Sequence, residues 1–326
     1  MKIAFVGKGG SGKSTLSSLF IRFLQEKGDK NILAIDADLN MNLAGLLGVV
    51  VSEDTVLAQP QVAENIRKHL MGSNPRIQDH AKFLPTTPPG RGSNLVLRAN
   101  DFTLGQYAAK VSKDPVVNLL TVGSYDRDSI GQTCYHSHLF VAENILAHTV
   151  TGDDFTVVCD MVAGTDAFAY SMHLQFDAIV LIAEPTPEST EVCKLYLDLA
   201  DESGVAPLVH IVGNKVEDDE DVAFIRERVG KQPVALVPAM PKLKKARQRG
   251  EIVESSLLDD QLRHVFSTVE QQAVNPAITP AERLQMLYKL HHKLNAKKWV
   301  QQGYGDVADQ IDPNFVMAAE KVGLPA

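Results

Sequence analysis

Seven short apolar runs punctuate the chain, at residues 3–6, 32–35, 117–122, 155–159, 178–183, 208–212 and 234–237, with polar and apolar positions at helical spacing between most of them. Each run is apolar at nearly every position, the signature of a strand covered on both faces. The pattern predicts an α/β fold: a doubly wound, mostly parallel sheet of seven or eight strands with helices on both faces. Residues 52–113 break the rhythm, with Pro60, Pro75, Pro85, Pro88 and Pro89 scattered among short polar stretches. They read as an insertion of short helices and loops, either surface elaboration or a cover for a sheet edge or a partner. Beyond Leu258 the apolar runs stop. Thr279-Pro280-Ala281-Glu282 has the form of a capping box with proline at the first helical position, and Leu284, Leu287, Tyr288, His291 and Leu294 mark one helix face. The expected organisation is a core domain over 1–258 and a helical extension over 259–326 packed on it.

The first run leads into Gly7-Lys8-Gly9-Gly10-Ser11-Gly12-Lys13-Ser14-Thr15, which satisfies G-x-x-x-x-G-K-[ST] between a predicted strand and a predicted helix. The glycines let the backbone curl so that its N–H groups converge on phosphate oxygens, and the helix adds its positive end. Residues Gly9 to Thr15 are therefore expected to cradle a nucleotide triphosphate, with Lys13 neutralising the β- and γ-phosphates and the Ser14 hydroxyl on Mg²⁺. Two carboxylates, Asp36 and Asp38, follow the second run, at the strand end where open parallel sheets bind ligands. Asp160 closes the 155–159 run, a position from which a carboxylate can hold a Mg²⁺-bound water, and Gly164 lets backbone approach the γ-phosphate. Asn214, after the 208–212 run, carries a donor and an acceptor suited to an adenine edge, although these residues alone leave guanine open.

Composition narrows the setting. A chain of 326 residues, 44% hydrophobic, can bury a large core. No apolar stretch has membrane-spanning length, Met1 runs straight into the first strand, and Cys134, Cys159 and Cys193 are too scattered for a disulfide framework, so a cytoplasmic protein is expected. A net charge of −8 argues against nucleic acid as a partner, and the weakly basic C-terminus makes a poor membrane helix. The one concentrated basic stretch, Lys242 to Arg249, reads as a solvated helix face.

Lys8 adds a second cation to the phosphate loop, and Lys8-Gly9-Gly10-Ser11-Gly12-Lys13-Ser14 resembles the deviant Walker A motif of the MinD, ParA and nitrogenase iron-protein superfamily. That resemblance implies an ATP-closed homodimer in which Lys8 reaches phosphate across the two-fold. It also implies that Asp36 holds a Mg²⁺-bound water, that Asp38 orients the attacking water, and that Asn214 and the loop at Pro238 clasp the base. Asp36 to Leu43, Asp160 to Gly164, Glu184 to Ser189 and Asn214 to Val216 look most like the CooC-type nickel-insertion ATPases. Those carry a C-x-C pair where this chain has Cys134-Tyr135-His136, so Cys134 and His136 from two copies become candidate ligands for Ni²⁺ or Zn²⁺ at the dimer interface. Such side chains could equally cap the following helix. An iron–sulfur reductase is disfavoured because Met161 to Gly164 offers no thiol and Cys159 should face the core. The resemblance thus implies a Mg²⁺-dependent ATPase serving a client metalloenzyme, with a ParA- or MinD-type positioning ATPase as the alternative.

Overall fold

The computed structural model describes residues 1–28, 31–124 and 135–317, with the side chains of 135–137 not described. Eight strands form one sheet in the order β3-β4-β2-β5-β1-β6-β7-β8. The strands are β1 (Lys2–Gly7), β2 (Asn31–Ala37), β3 (Ala109–Lys113), β4 (Val116–Thr121), β5 (Phe155–Met161), β6 (Ala178–Ala183), β7 (Val209–Val216) and β8 (Ala235–Pro238). Seven coincide with the apolar runs and pair in parallel. The eighth, β3, is an antiparallel edge strand at the end of the 52–113 segment, where the sequence pattern predicts helices and loops only.

The helices are α1 (Lys13–Lys27), α2 (Asn42–Leu47), α3 (Pro60–Met71), α4 (Tyr135–Ala147), α5 (Pro187–Glu202), α6 (Asp219–Val229), α7 (Pro241–Gln248), α8 (Asp260–Val274), α9 (Pro280–Asn295) and α10 (Lys298–Gly303). They cover both faces of the sheet. The period of two along β1 divides its side chains: Ala4 and Val6 join a core with α3, α4, α5 and α9, while Ile3 and Phe5 join one with α1, α2, α7 and α8. Phe20 of α1 sits at the centre of the second core, with its ring centroid 5.5 Å from Phe5 and 5.6 Å from Phe266 of α8. α8 and α9 are thus bound into the same cores as the sheet, while Val300 of α10 packs in a smaller cluster with Leu84, Leu294 and Val307. Thr279 and Glu282 form the expected reciprocal cap at the start of α9. Arg283 on its buried side pairs with Asp177, whose other carboxylate oxygen accepts from the Lys2 backbone N–H at 2.6 Å. Among the described residues no helix is long and apolar enough to cross a membrane.

Candidate nucleotide site

With β1 between β5 and β6, and β2 beyond β5, the carboxyl ends of β1, β2 and β5 open on one edge of the sheet. β1 feeds the glycine loop, and β2 and β5 bring Asp36 and Asp160 into register as direct neighbours. A cleft of about 240 Å³ lies in front of them. Its lining includes Gly9, Gly10, Gly12, Lys13, Ser14 and Thr15 on the loop side and Asp38, Asn40 and Asn42 opposite.

The loop owes its shape to positive-φ glycines. Gly12 has φ 99°, and a Cβ there would overlap the Asn214 amide nitrogen. That overlap marks a tether: Asn214 Nδ2 donates to the Ser11 carbonyl at 2.7 Å, and Lys215 Nζ donates to the Gly10 carbonyl at 3.0 Å while pairing with Glu184. β7 therefore holds the loop from behind. Asn214 is buried, and its contact with the loop backbone uses one amide hydrogen, leaving Oδ1 and the other. Pro238 ends β8 and is not part of the cleft lining.

The electrostatics are dominated by acids. Lys13 and Asp38, both buried, form an ion pair at 3.4 Å. Asp38 also accepts from the Asn40 backbone at 3.0 Å and from the Asn40 side chain at 2.9 Å. Asp36 is fully buried and accepts from the backbone N–H groups of Leu43 at 2.9 Å and Asp38 at 3.2 Å. Burial pushes its carboxyl up to about 7 against those two hydrogen bonds, with the charge of Asp38 adding to the rise. Asp160 is buried, and no donor among the described residues reaches its oxygens in full hydrogen-bond geometry, although the Ser14 hydroxyl lies close. Burial, and then the charge of Asp36, push it well above the usual carboxylate range, although Ser14 and Lys13 pull the other way. Two adjacent buried carboxyls that resist ionising would be relieved by a divalent cation in place of their protons, with the Ser14 hydroxyl beside them.

Lys8 is half-buried at the start of the loop and does not line the cleft of its own chain. Cys134 lies outside the described residues, and so does the side chain of His136, which falls in the first turn of α4. Among the described residues no cluster of three or more His, Cys, Asp or Glu side chains could hold a metal. Cys159 is fully buried and its thiol pushed well above its ordinary value by burial, as expected of a core residue. The sequence pattern does not single out Asn40, Asn42, Leu46, Ala163 and Arg247 as lining residues. Asn40 and Asn42, just after Asp38, and Ala163, between Asp160 and Gly164, do lie in segments that carry a local signal.

Residues 3–253 match the family described as CbiA, the CobQ/CobB/MinD/ParA nucleotide binding domain. The carbon monoxide dehydrogenase accessory protein CooC of Rhodospirillum rubrum is 28% identical over 228 residues, 70% of this chain and 79% of that protein. An uncharacterized ATP-binding protein of Methanocaldococcus jannaschii is 27% identical over 262 residues, 79% of this chain and 95% of the relative. The ParA family ATPase from Chlorobium tepidum TLS shares the fold with a TM-score of 0.57 at 17% identity, over 84% of this chain and 97% of that one.

Proposed function

The chain belongs to the CobQ/CobB/MinD/ParA family of nucleotide-binding domains, and from that premise we propose that it is a Mg²⁺-dependent ATPase. In this reading it pairs two copies of itself on ATP and uses the closure to serve a client metalloenzyme. The observation that carries the reading is the Asp160 carboxylate, buried beside Asp36 and next to the phosphate loop, with the Ser14 hydroxyl close by but no well-formed hydrogen bond to either oxygen among the described residues. Leaving a buried carboxyl without donors costs about 1–3 kcal/mol, a cost that a bound cation and its waters offset. Ser14, Asp36 and Asp160 would hold Mg²⁺, which when bound neutralises phosphate charge. Lys13 would exchange Asp38 for the β- and γ-phosphates. That exchange frees Asp38 to orient the attacking water, so the Lys13–Asp38 ion pair acts as a latch.

The exclusion of Lys8 from its own cleft supports a role across a two-fold, where its charge would meet the partner copy's phosphates in a site closed to water. Asn214, tied to the loop through Nδ2, keeps Oδ1 as an acceptor for the adenine amino group, and the loop at Pro238 would cover the base. The metal side of the reading draws on the CooC relative and on Cys134 and His136, which in two copies would supply four ligands to Ni²⁺ or Zn²⁺. The test is steady-state ATP hydrolysis by wild type, Lys8→Ala and Asp38→Ala. Both variants should lose hydrolysis while retaining ATP binding; undiminished turnover in both would overturn the mechanism. ATP-dependent retention on DNA or anionic vesicles, abolished by Lys13→Ala, would replace the client role with a ParA- or MinD-type positioning role.

A further inference from the structure

We propose that Arg247 contacts the nucleotide, its guanidinium pairing with the α-phosphate end of the polyphosphate chain. This rests on the reading of the cleft as a nucleotide site. α7 is the basic helix expected from the sequence to be a solvated face, and most of it is: Lys242, Lys244, Lys245, Gln248 and Arg249 are exposed. Its packed face is set by Leu243 and Ala246, both buried. Arg247 lies one helical turn beyond Leu243, so the spacing that buries the leucine turns this one arginine inward, and it is half-buried. It lines the same cleft as Lys13, Ser14 and Thr15.

An inward arginine ordinarily finds a carboxylate. Among the described residues Arg247 has none within ion-pair distance: Asp38 is engaged by Lys13, and Glu251 by Arg249. A partly desolvated guanidinium without an anion, in a cleft built around a phosphate loop, is complemented by a phosphate oxygen, which its planar fork can grip at two points. The charges already in the cleft indicate which phosphate. The γ end, at Asp36, Asp38 and Asp160, is already served by Lys13 and by the proposed Mg²⁺. α7 follows β8, which lies on the far side of β1 from β2 and β5. The chain leaving α7 runs to α2, where the Val253 N–H donates to the Leu46 carbonyl at 2.8 Å. Arg247 thus enters the cleft between the β8 side and α2, and with the γ end already served the phosphate left to its guanidinium is the α-phosphate.

The test is a competition assay against a fluorescent ADP analogue with ATP, ADP, AMP and adenosine, for wild type, Arg247→Ala and Arg247→Lys. Loss of one charge-assisted contact should weaken ATP, ADP and AMP alike, by about ten- to a hundredfold, with lysine recovering part of the loss and adenosine unchanged. Equal phosphate affinities in wild type and Arg247→Ala would overturn the assignment. So would a loss confined to ATP, which would put the guanidinium at the γ end, or an equal loss of adenosine, which would put it on the base or ribose. If Arg247→Ala melts well below wild type, Arg247→Gln keeps the stem packing and is judged by the same pattern. A wild-type protein that binds none of the phosphates would instead remove the nucleotide site itself, so the two failures are distinct.

Discussion

The acid pair makes a stability prediction that needs no nucleotide. A carboxyl raised in the folded state keeps a proton that the unfolded chain has already given up, so folding stability falls as pH rises through that window. Asp36 is fully buried and holds its proton to about 7. From about pH 4.5 to about pH 8, at about 1.4 kcal/mol per pH unit, Asp36 should cost the nucleotide-free protein about 3 kcal/mol. His148 and His173, buried and pushed down to about 4 by burial, tilt the same curve the other way. The informative quantity is therefore the difference between wild type and Asp36→Asn, measured by urea unfolding at both ends of the range. The variant keeps one carbonyl acceptor for the two backbone donors and should be less stable by about 1 kcal/mol in acid. By the alkaline end it should be the more stable protein. Curves that stay parallel across the range would refute the account of Asp36 as a buried acid waiting for a cation.

Two substitutions address the tether behind the loop. Gly12→Ala places a methyl against the Asn214 amide at a positive-φ position and should abolish detectable ATP binding, read by isothermal titration, while Gly28→Ala, also at positive φ but in open space at the end of α1, should leave binding intact. Asn214→Ala removes the 2.7 Å bond to Ser11 and the proposed adenine acceptor and should weaken ATP by about tenfold in the same titration; an unchanged affinity would show that neither role of Asn214 supports binding.

Much of this architecture is legible in the residues themselves, because a strand buried on both faces must be apolar almost throughout, and seven strands are. β3 escapes for the complementary reason: Ala109-Lys110-Val111-Ser112-Lys113 is an edge strand, half-exposed, with two lysines among its five residues, a composition that also suits a loop. The phosphate loop, Asp36 and Asp160 are readable because each sits at a strand end in a recognisable local pattern. Arg247 is not, since it reaches the cleft from a helix whose placement depends on packing far along the chain. The basic run of α7 shows the limit well. Charge alone predicts solvent for all its members, and only the register against Leu243 and Ala246 distinguishes the one that turns inward.

The claim on which the rest depends is that ATP and Mg²⁺ join two copies of this chain. Light scattering after size-exclusion chromatography, on Asp38→Ala protein so that ATP persists, measures it directly. The account predicts a monomer mass without nucleotide and a doubled mass with Mg²⁺ and ATP, reverting to monomer when Lys8→Ala is added. A single mass under all three conditions would contradict it.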